Sequence, residues 1–383
     1  MSQRTIYFLA GEASGDIHGA ALMQALQQTE PSLVFTGRGG PRMQAVASGQ
    51  FQDWIGDAAV LGLWEVINKY GYFRRQFRGT LDDIARDKPD AVVLIDYPGF
   101  NLRLARALQQ RVHRPKIIYF ISPQVWAWHR GRIRQMARCI DLMLCIFPFE
   151  ADLYNESGLP ARFIGHPMID RLPAERTNSP RQESLVALFP GSREREVRKI
   201  LPTLVEVAKL LKAENPGLRF EVAAASPHLA GHIQSAVPAS IEQSLGLKIV
   251  TGDTAGIMQR AAVGLIASGS ATLEAAYFRL PFVLIYRVAW LTYLAARMVV
   301  RVQHLGMPNL LAGREIVPEF IQHQARPAAI AKAVSSLLTN RGERERMIRD
   351  FDDVVDRLGS GGASQTAARE ILRELGQPAG LLS

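Results

Sequence analysis

The sequence predicts an α/β fold in two halves, each built on a mainly parallel sheet. Three observations carry this. Short apolar runs alternate with helix-like stretches almost throughout, which is the pattern of strand–helix repetition. Continuous runs such as Ala91-Val-Val-Leu-Ile95 show no polar alternation, so they suit strands covered on both faces, as in parallel sheets. A polar break at Leu172–Glu183, with two prolines and no apolar period, splits the runs into two sets.

In the first half, strands are expected at Ile6–Ala10, Ser32–Thr36, Ala91–Asp96, Lys116–Ser122 and Leu142–Phe147. The second half offers Leu185–Phe189, Arg219–Ala225, Lys248–Gly252, Val263–Ala267 and Phe282–Arg287. From about Pro327 the chain reads as charged helix with no further strand. The expected division is therefore residues 1–172, residues 173–350 and a helical segment 351–383 that caps one domain or crosses back to the first. Two such domains facing each other make a cleft, a common ligand position.

Composition narrows the partners. The chain has 383 residues, 48% hydrophobic and 21% charged, which excludes disorder and collagen-like fibres. A net charge of +9 suggests an anionic partner: nucleotide, nucleic acid or membrane surface. Two cysteines, Cys139 and Cys145, make neither a disulfide framework nor a zinc spacing, which points to a reducing cytoplasm and buried thiols. Thr5–Ala10 is strand length rather than the apolar core of a secretory signal. The best membrane span, Phe282–Val300, contains Arg287 and Arg297, each costing roughly 2.5–3.5 kcal/mol near mid-bilayer. A span is rejected, while contact with one leaflet stays open.

Ligands of open α/β sheets bind beyond the carboxyl ends of strands, and four such ends carry unusual chemistry. Gly11-Glu-Ala-Ser-Gly-Asp16 precedes a helix holding His18 and matches neither a dinucleotide fingerprint nor a P-loop. It is either a glycine turn that starts a helix or a polar site using Glu12, Ser14 and His18. Asp96 ends a wholly apolar run before Tyr97-Pro-Gly-Phe-Asn101. It reads as a half-desolvated carboxylate suited to base chemistry, or as a turn former ahead of Pro98. Phe189-Pro-Gly-Ser-Arg193 joins a strand to a helix start, an anion site to which Arg193 adds a bidentate donor, unless Arg193 is only solvated. Ala267-Ser-Gly-Ser-Ala-Thr-Leu-Glu274 repeats the arrangement with small hydroxyl side chains, or Ser268 is simply an N-cap. Glu274 lies one turn on, where it could accept ribose hydroxyls. Two anion loops in one half favour a diphosphate ligand.

Other chemistries are weak. Asp350-Phe-Asp352 sits in a charged helical pattern, no G-x-S-x-G occurs, and His228 and His232 read as a surface pair without H-E-x-x-H. No metal and no cofactor is expected. Between Tyr97 and Ile140 there is no acidic residue but nine basic ones. Nearby, Leu63, Val66, Ile67, Tyr70, Phe73 and Phe77 recur at helical spacing, flanked by Trp64 and Tyr72 and accompanied by Lys69, Arg74, Arg75 and Arg78. This is an interfacial helix, or a core-facing helix with a basic outer face. No RNA-binding motif is present, so nucleic acid is not expected.

The strand-end segments resemble those of one family, lipid-A-disaccharide synthase. They are Ala10–Asp16, Gly39–Met43, Ile95–Asn101, Ser122–Trp128, Phe147–Glu150, Phe163–Pro167, Phe189–Arg193, Ala267–Glu274 and Pro308–Arg314, in family order over almost the whole chain. Ser270 stands where threonine is expected in many relatives, and it keeps the hydroxyl. The resemblance implies a GT-B fold, two Rossmann-like domains facing across a cleft. It implies transfer of 2,3-diacylglucosamine from UDP-2,3-diacylglucosamine to 2,3-diacylglucosamine 1-phosphate, with inversion, at the inner face of the cytoplasmic membrane. On that basis Asp96 is the expected base, with Glu12 as second candidate or acceptor-positioning group. Ser14, Gly15, His18 and Asn101 are expected around the acceptor. Ser192, Arg193, Ser268, Gly269, Ser270, Thr272, Glu274, Arg287 and Asn309 are expected around the UDP-sugar. Leu63, Trp64, Ile67, Tyr70, Phe73 and Phe77 would touch the membrane. A homodimer is compatible, with the C-terminal helices on their own chain or a partner's. The rivals are another UDP-amino-sugar enzyme of the same fold (a peptidoglycan-precursor glycosyltransferase or a UDP-sugar 2-epimerase) and a non-catalytic UDP-sugar sensor.

Overall fold

The computed structural model describes residues 3–58, 70–124, 131–177, 180–287 and 304–376. The chain forms two units, Met1–Asp170 with Leu358–Ser383, and Arg171–Arg357.

The first unit holds seven strands: β1 Thr5–Ala10, β2 Val34–Gly39, β3 Phe51–Asp53, β4 Ala91–Ile95, β5 Lys116–Phe120, β6 Leu142–Cys145 and β7 Ala161–Phe163. Their order is β3-β2-β1-β4-β5-β6-β7, and every pairing is parallel. Both faces are covered, which is why β4 needs no polar alternation: all of Ala91–Ile95 is fully buried. On one face Phe8, Phe35 and Ile95 pack with Leu22 and Leu26 of helix Ala13–Thr29. On the other, Tyr7 and Leu9 pack with Trp54, Phe100, Leu104 and Tyr154. Each such large apolar side chain contributes roughly 1.5–3 kcal/mol by leaving water.

The C-terminal helix Ala363–Glu374 belongs to this first core. Its Ala367, Ala368 and Ile371 are buried with Phe8, Leu22 and Leu26. Asp170 fixes its start by accepting the N–H groups of Gly362 and Ala363 at 2.5 and 3.0 Å. The preceding helix, Arg341–Asp356, stays with the second unit, where Phe351 stacks on Phe282 at 5.5 Å. The division expected at residues 350 and 351 would cut through that helix. The return to the first unit comes at Leu358, ahead of a run in which Gly359, Gly361 and Gly362 all have positive φ.

The second unit holds β8 Gln182–Phe189, β9 Arg219–Ala224, β10 Leu247–Thr251, β11 Ala261–Ala267, β12 Phe282–Tyr286 and β13 Glu319–Ile321. The order is β10-β9-β8-β11-β12-β13, again parallel throughout. Three strands escaped the sequence reading: β3, β7 and β13. Each has three residues and lies at a sheet edge, too short to show a period of two and exposed enough to tolerate polar residues. Among the described residues no helix is long and apolar enough to cross a membrane.

Asp16, in the first turns of helix Ala13–Thr29, is buried and accepts three backbone N–H groups, from Gly40 at 3.0 Å, Arg42 at 3.1 Å and Met43 at 2.9 Å. It thereby caps helix Pro41–Val46, whose own N-cap, Gly40, has no side chain to do so. Asp16→Ala leaves three donors without their acceptor. The expected loss is about 2–4 kcal/mol, read as a lower urea midpoint for the first unit, and an unchanged midpoint would count against the cap.

Candidate functional site

Each sheet reverses its strand order once, between β1 and β4 in the first and between β8 and β11 in the second. Loops leaving the carboxyl ends of those strands diverge to opposite sides and leave a crevice. The four loops singled out by sequence follow these four strands.

In the first unit, Asp96 and Tyr97 have φ of 43° and 48°, adjacent left-handed residues neither of which is glycine. Such a conformation costs of order 1–3 kcal/mol per residue and persists only where its surroundings over-determine it. Those surroundings are visible. The Asn101 Nδ2 donates to the carbonyls of Ile95 and Asp96 at 3.1 and 2.7 Å. The Tyr119 hydroxyl donates to the same Asp96 carbonyl at 2.5 Å, and the Asp96 N–H donates to Phe120 at 3.1 Å. The backbone is thus held from three sides, and the carboxylate projects from a fixed turn. Asn101 is fully buried and acts on the turn from beneath.

The ring of Tyr97 lies over Gly11. A Cβ on Gly11 would stand 2.4–2.7 Å from ring atoms, so this contact requires glycine. Trp54 meets both Tyr97 and Phe100 edge-on and donates its Nε1–H to the Ala10 carbonyl at 2.7 Å. Burial, with the Glu12 charge second, pushes the Asp96 carboxyl up to about 6. The same two causes push the Tyr97 phenol up to about 12. Glu12 and Ser14 are exposed and His18 half-buried. The Glu12 side chain makes no capping bond although it occupies the N-cap of helix Ala13–Thr29. Gly15 is a packing position, where a Cβ would meet Ala10 Cβ at 3.2 Å. Trp54, Tyr97 and Tyr119 were not singled out by sequence, since a lone aromatic in a loop or strand carries no spacing signal.

In the second unit a cleft of about 280 Å³ opens at the ends of β8, β9 and β11, lined by Gly191, Ser192, Arg193, Ser268, Gly269 and Ser270. Ala223, Ala225, Ala267 and Ala271 keep its walls thin. Gly191 has φ of 113°, and a Cβ there would lie 2.7 Å from Glu196 Oε2. Ser270, not Ser268, occupies the N-cap of helix Ala271–Tyr277, and its hydroxyl makes no capping bond. The Arg193 side chain is 74% exposed, 3.5 Å from Glu196. Glu196 also accepts the Ser192 N–H at 3.3 Å, so a carboxylate now sits against the donors an anion would use. Sequence reading missed Glu196 because its position in a charge-rich helix start looks solvated.

Four expected donor-site residues have partners of their own in this structure. The Thr272 hydroxyl is buried and donates to the Gly269 carbonyl at 2.7 Å, which shapes the loop rather than lining the cleft. Asn309 is buried with its whole amide committed. Its Nδ2 donates to Val317 and Glu319, each at 2.8 Å, and its Oδ1 accepts from Ile316 and Val317 at 2.8 and 2.9 Å. It latches the segment leading into β13. Glu274 accepts from Arg171 at 2.6 Å, its carboxyl raised by burial and lowered in part by that guanidinium. Arg287 donates to the Thr203 hydroxyl at 2.5 Å.

Of the interfacial stripe, Leu63, Trp64 and Ile67 lie outside the described residues, as does the side chain of Tyr70. Phe73 and Phe77 are half-buried against the first core, Phe77 5.5 Å from Phe100, so part of each ring is spent on packing. Arg74, Arg75 and Arg78 on the same helix are exposed, as are Arg103, Arg106, Arg132, Arg134 and Arg138.

A sequence model described as lipid-A-disaccharide synthetase matches residues 6–371. The lipid-A-disaccharide synthase of Myxococcus xanthus is 37% identical over 378 residues, 97% of either chain. That of Geobacter sulfurreducens is 37% identical over 383 residues, again 97% of each. Among solved structures, the UDP-GlcNAc 2-epimerase of Neisseria meningitidis bound to UDP-GlcNAc aligns with a TM-score of 0.58 at 13% identity, covering 96% of this chain and 100% of its own. The calicheamicin glycosyltransferase aligns with 0.56 at 15% identity, covering 98% and 99%. These distant structures share the GT-B fold.

The raised Asp96 carboxyl has a stability consequence. The fold favours the neutral form, so its contribution is present below the ordinary carboxylate range near 4 and is lost as pH rises through about 6. Above that the ionised carboxylate costs the fold on the order of 2–3 kcal/mol. Asp96→Asn keeps the shape without the charge. Its thermal midpoint should exceed that of the unmodified chain by more at pH 8 than at pH 5, and an equal difference at both would exclude a desolvated carboxylate.

Proposed function

The chain belongs to the lipid-A-disaccharide synthase family, and from that premise we propose how its two strand-end sites divide the work. It is a hexosyltransferase that moves 2,3-diacylglucosamine from UDP-2,3-diacylglucosamine to 2,3-diacylglucosamine 1-phosphate, yielding the β-1′,6-linked disaccharide 1-phosphate and UDP.

The donor is an α-glycoside and the product is β, so one displacement at the anomeric carbon accounts for the change. The acceptor 6-hydroxyl oxygen bonds to that carbon as the bond to the phosphate oxygen of UDP breaks. The hydroxyl proton passes to Asp96. The observation that carries this reading is the Asp96 turn, a strained, desolvated carboxylate raised to about 6. Such a group is ionised at neutral pH yet more basic than an ordinary carboxylate. Glu12 supports that basicity through its charge and stands exposed at the same rim, where it positions the acceptor with Ser14 and His18. The turn supplied by Asn101, and the close packing at Gly15, hold this rim in place.

Departing UDP carries developing negative charge. In the second unit the Arg193 guanidinium and the hydroxyls and N–H groups of Ser192, Ser268, Gly269 and Ser270 stabilise it. A phosphate there takes the Ser192 N–H from Glu196, which turns aside. Glu274 and Arg287 hold the uridine ribose and sugar from the neighbouring wall. This set of donors needs no metal. Small alanines at the strand ends leave room for the diphosphate.

Both substrates carry acyl chains, which gives the basic surface a purpose. Leu63, Trp64 and Ile67 enter the inner face of the cytoplasmic membrane, while Arg74, Arg75 and Arg78 meet its anionic headgroups, each worth on the order of 1 kcal/mol. Replacing Leu63, Trp64 and Ile67 with Ser should release the protein from vesicles containing anionic lipid. Partitioning equal to that of the unmodified chain would remove the membrane role.

The decisive assay mixes the protein with UDP-2,3-diacylglucosamine and the monosaccharide 1-phosphate and weighs the lipid product by mass spectrometry. The disaccharide 1-phosphate is expected. Consumption of unacylated UDP-GlcNAc instead would favour an epimerase or another amino-sugar transferase. Asp96→Ala should lower turnover by at least a hundredfold while UDP affinity stays within a factor of about two. Turnover close to that of the unmodified chain would refute the base assignment.

A further inference from the structure

Beside the cleft of the second unit, but not lining it, stands a cluster that the transferase reaction does not use. Glu194 opens helix Glu194–Glu214, and His228 and His232 lie one turn apart on helix Pro227–Ala236. By sequence the two histidines are an exposed i,i+4 pair. The fold adds a carboxylate from a different helix. Glu194 Oε2 is 3.5 Å from His228 Nε2 and 3.4 Å from His232 Nε2. The three ligand atoms all lie within 4.8 Å of one another.

We propose that Glu194, His228 and His232 form a binding site for one divalent transition-metal ion of the zinc class. The geometry is the argument. Zinc binds imidazole nitrogen and carboxylate oxygen at about 2.0–2.2 Å in a tetrahedron, whose ligand atoms are then about 3.4 Å apart. Two of the three edges already have that length, and the third closes with a small rotation of imidazoles that meet edge-on at 4.9 Å between ring centres. The carboxylate is held in place from behind: Arg198 Nη2 donates to Glu194 Oε1 at 2.6 Å, which leaves Oε2 to face the imidazoles. A partner of this kind orients a ligand before the metal arrives. The helix carrying the histidines is equally fixed, since the Ser226 hydroxyl caps it by accepting the Leu229 N–H at 3.2 Å, and Leu229 and Ile233 are buried.

Donor type selects the ion. Two imidazoles and one carboxylate suit zinc, nickel or copper, whereas magnesium and calcium prefer all-oxygen sets. Three protein ligands leave one tetrahedral position for water or an outside group. The His228 side chain is 72% exposed, so an ion reaches the site from solvent. Once bound, it ties the first turn of helix Glu194–Glu214 to helix Pro227–Ala236. Arg193 and Ala225, which line the cleft, precede these two helices in the chain, so the ion braces the cleft's outer wall. The site stands on these three side chains alone and is independent of the reading given to the cleft.

The test is calorimetric titration of zinc chloride into the tag-free full chain after treatment with EDTA and dialysis. One equivalent is expected to bind the unmodified chain. Glu194→Gln should weaken binding at least tenfold, and His228→Ala with His232→Ala should abolish it. Thermal midpoints measured without zinc check that the variants fold, and added zinc should raise the midpoint of the unmodified chain but not that of the double variant. Absence of binding to the unmodified chain, or binding of equal affinity and stoichiometry in the double variant, overturns the proposal.

Discussion

Parallel pairing of β1 with β4 and of β8 with β11 is the constraint on which the rest depends. Parallel neighbours send their carboxyl ends the same way, so every loop that follows them reaches one edge of its sheet. Where strand order reverses, the crossing helices go to opposite faces and nothing fills the space between the loops. Each unit therefore has one place where side chains from distant parts of the chain can gather. Asp96 and Glu12 gather at the first, Arg193 and Ser268 at the second.

The two rims are built differently, one around carboxylates and the other around donors. The first holds carboxylates and buries one of them, so that water is withdrawn and the proton is held more tightly. A strained turn carries that half-buried carboxylate, and Asn101 and Tyr119 fix it through the backbone rather than through the acid itself. The second rim holds donors: hydroxyls, backbone N–H groups and a guanidinium that is mostly in water. There the strain is confined to Gly191, where no side chain has to fit. Placing the strained non-glycine residues where chemistry is expected, and glycine where only an approach is needed, agrees with how such conformations are distributed in proteins.

Most long strands were legible because a strand buried on both faces has to be continuously apolar. The edge strands β3, β7 and β13 were not, since three half-exposed residues carry no pattern. Loop chemistry was legible in part. Glycine with hydroxyl or carboxylate after an apolar run marked all four strand ends. What sequence could not assign was which polar side chain looks outward and which looks in. Asn101, Thr272 and Asn309 have the residue types of ligand contacts, yet each satisfies a backbone group. Whether an amide or hydroxyl is spent on its own backbone depends on the path of the chain through space. The same holds for Glu194, whose approach to two histidines needs two helices to be side by side. Asp16, an ordinary acid in the first turns of a helix by sequence, ties down a second helix only because β2 ends next to it.

The chain's last described helix has a consequence for how the molecule is made. Ala367, Ala368 and Ile371 fill the same core as Phe8 and Leu22. A ribosome adds residues in order, so the first unit has its sheet long before it has this wall. Until helix Ala363–Glu374 emerges, the flank of helix Ala13–Thr29 that it covers stands open. The second unit, continuous from Arg171 to Arg357, has no such gap and can close while its predecessor still waits. Helix Ala13–Thr29 thus leaves the ribosome well before the wall that covers it, and the interval between is when this protein has most need of a chaperone.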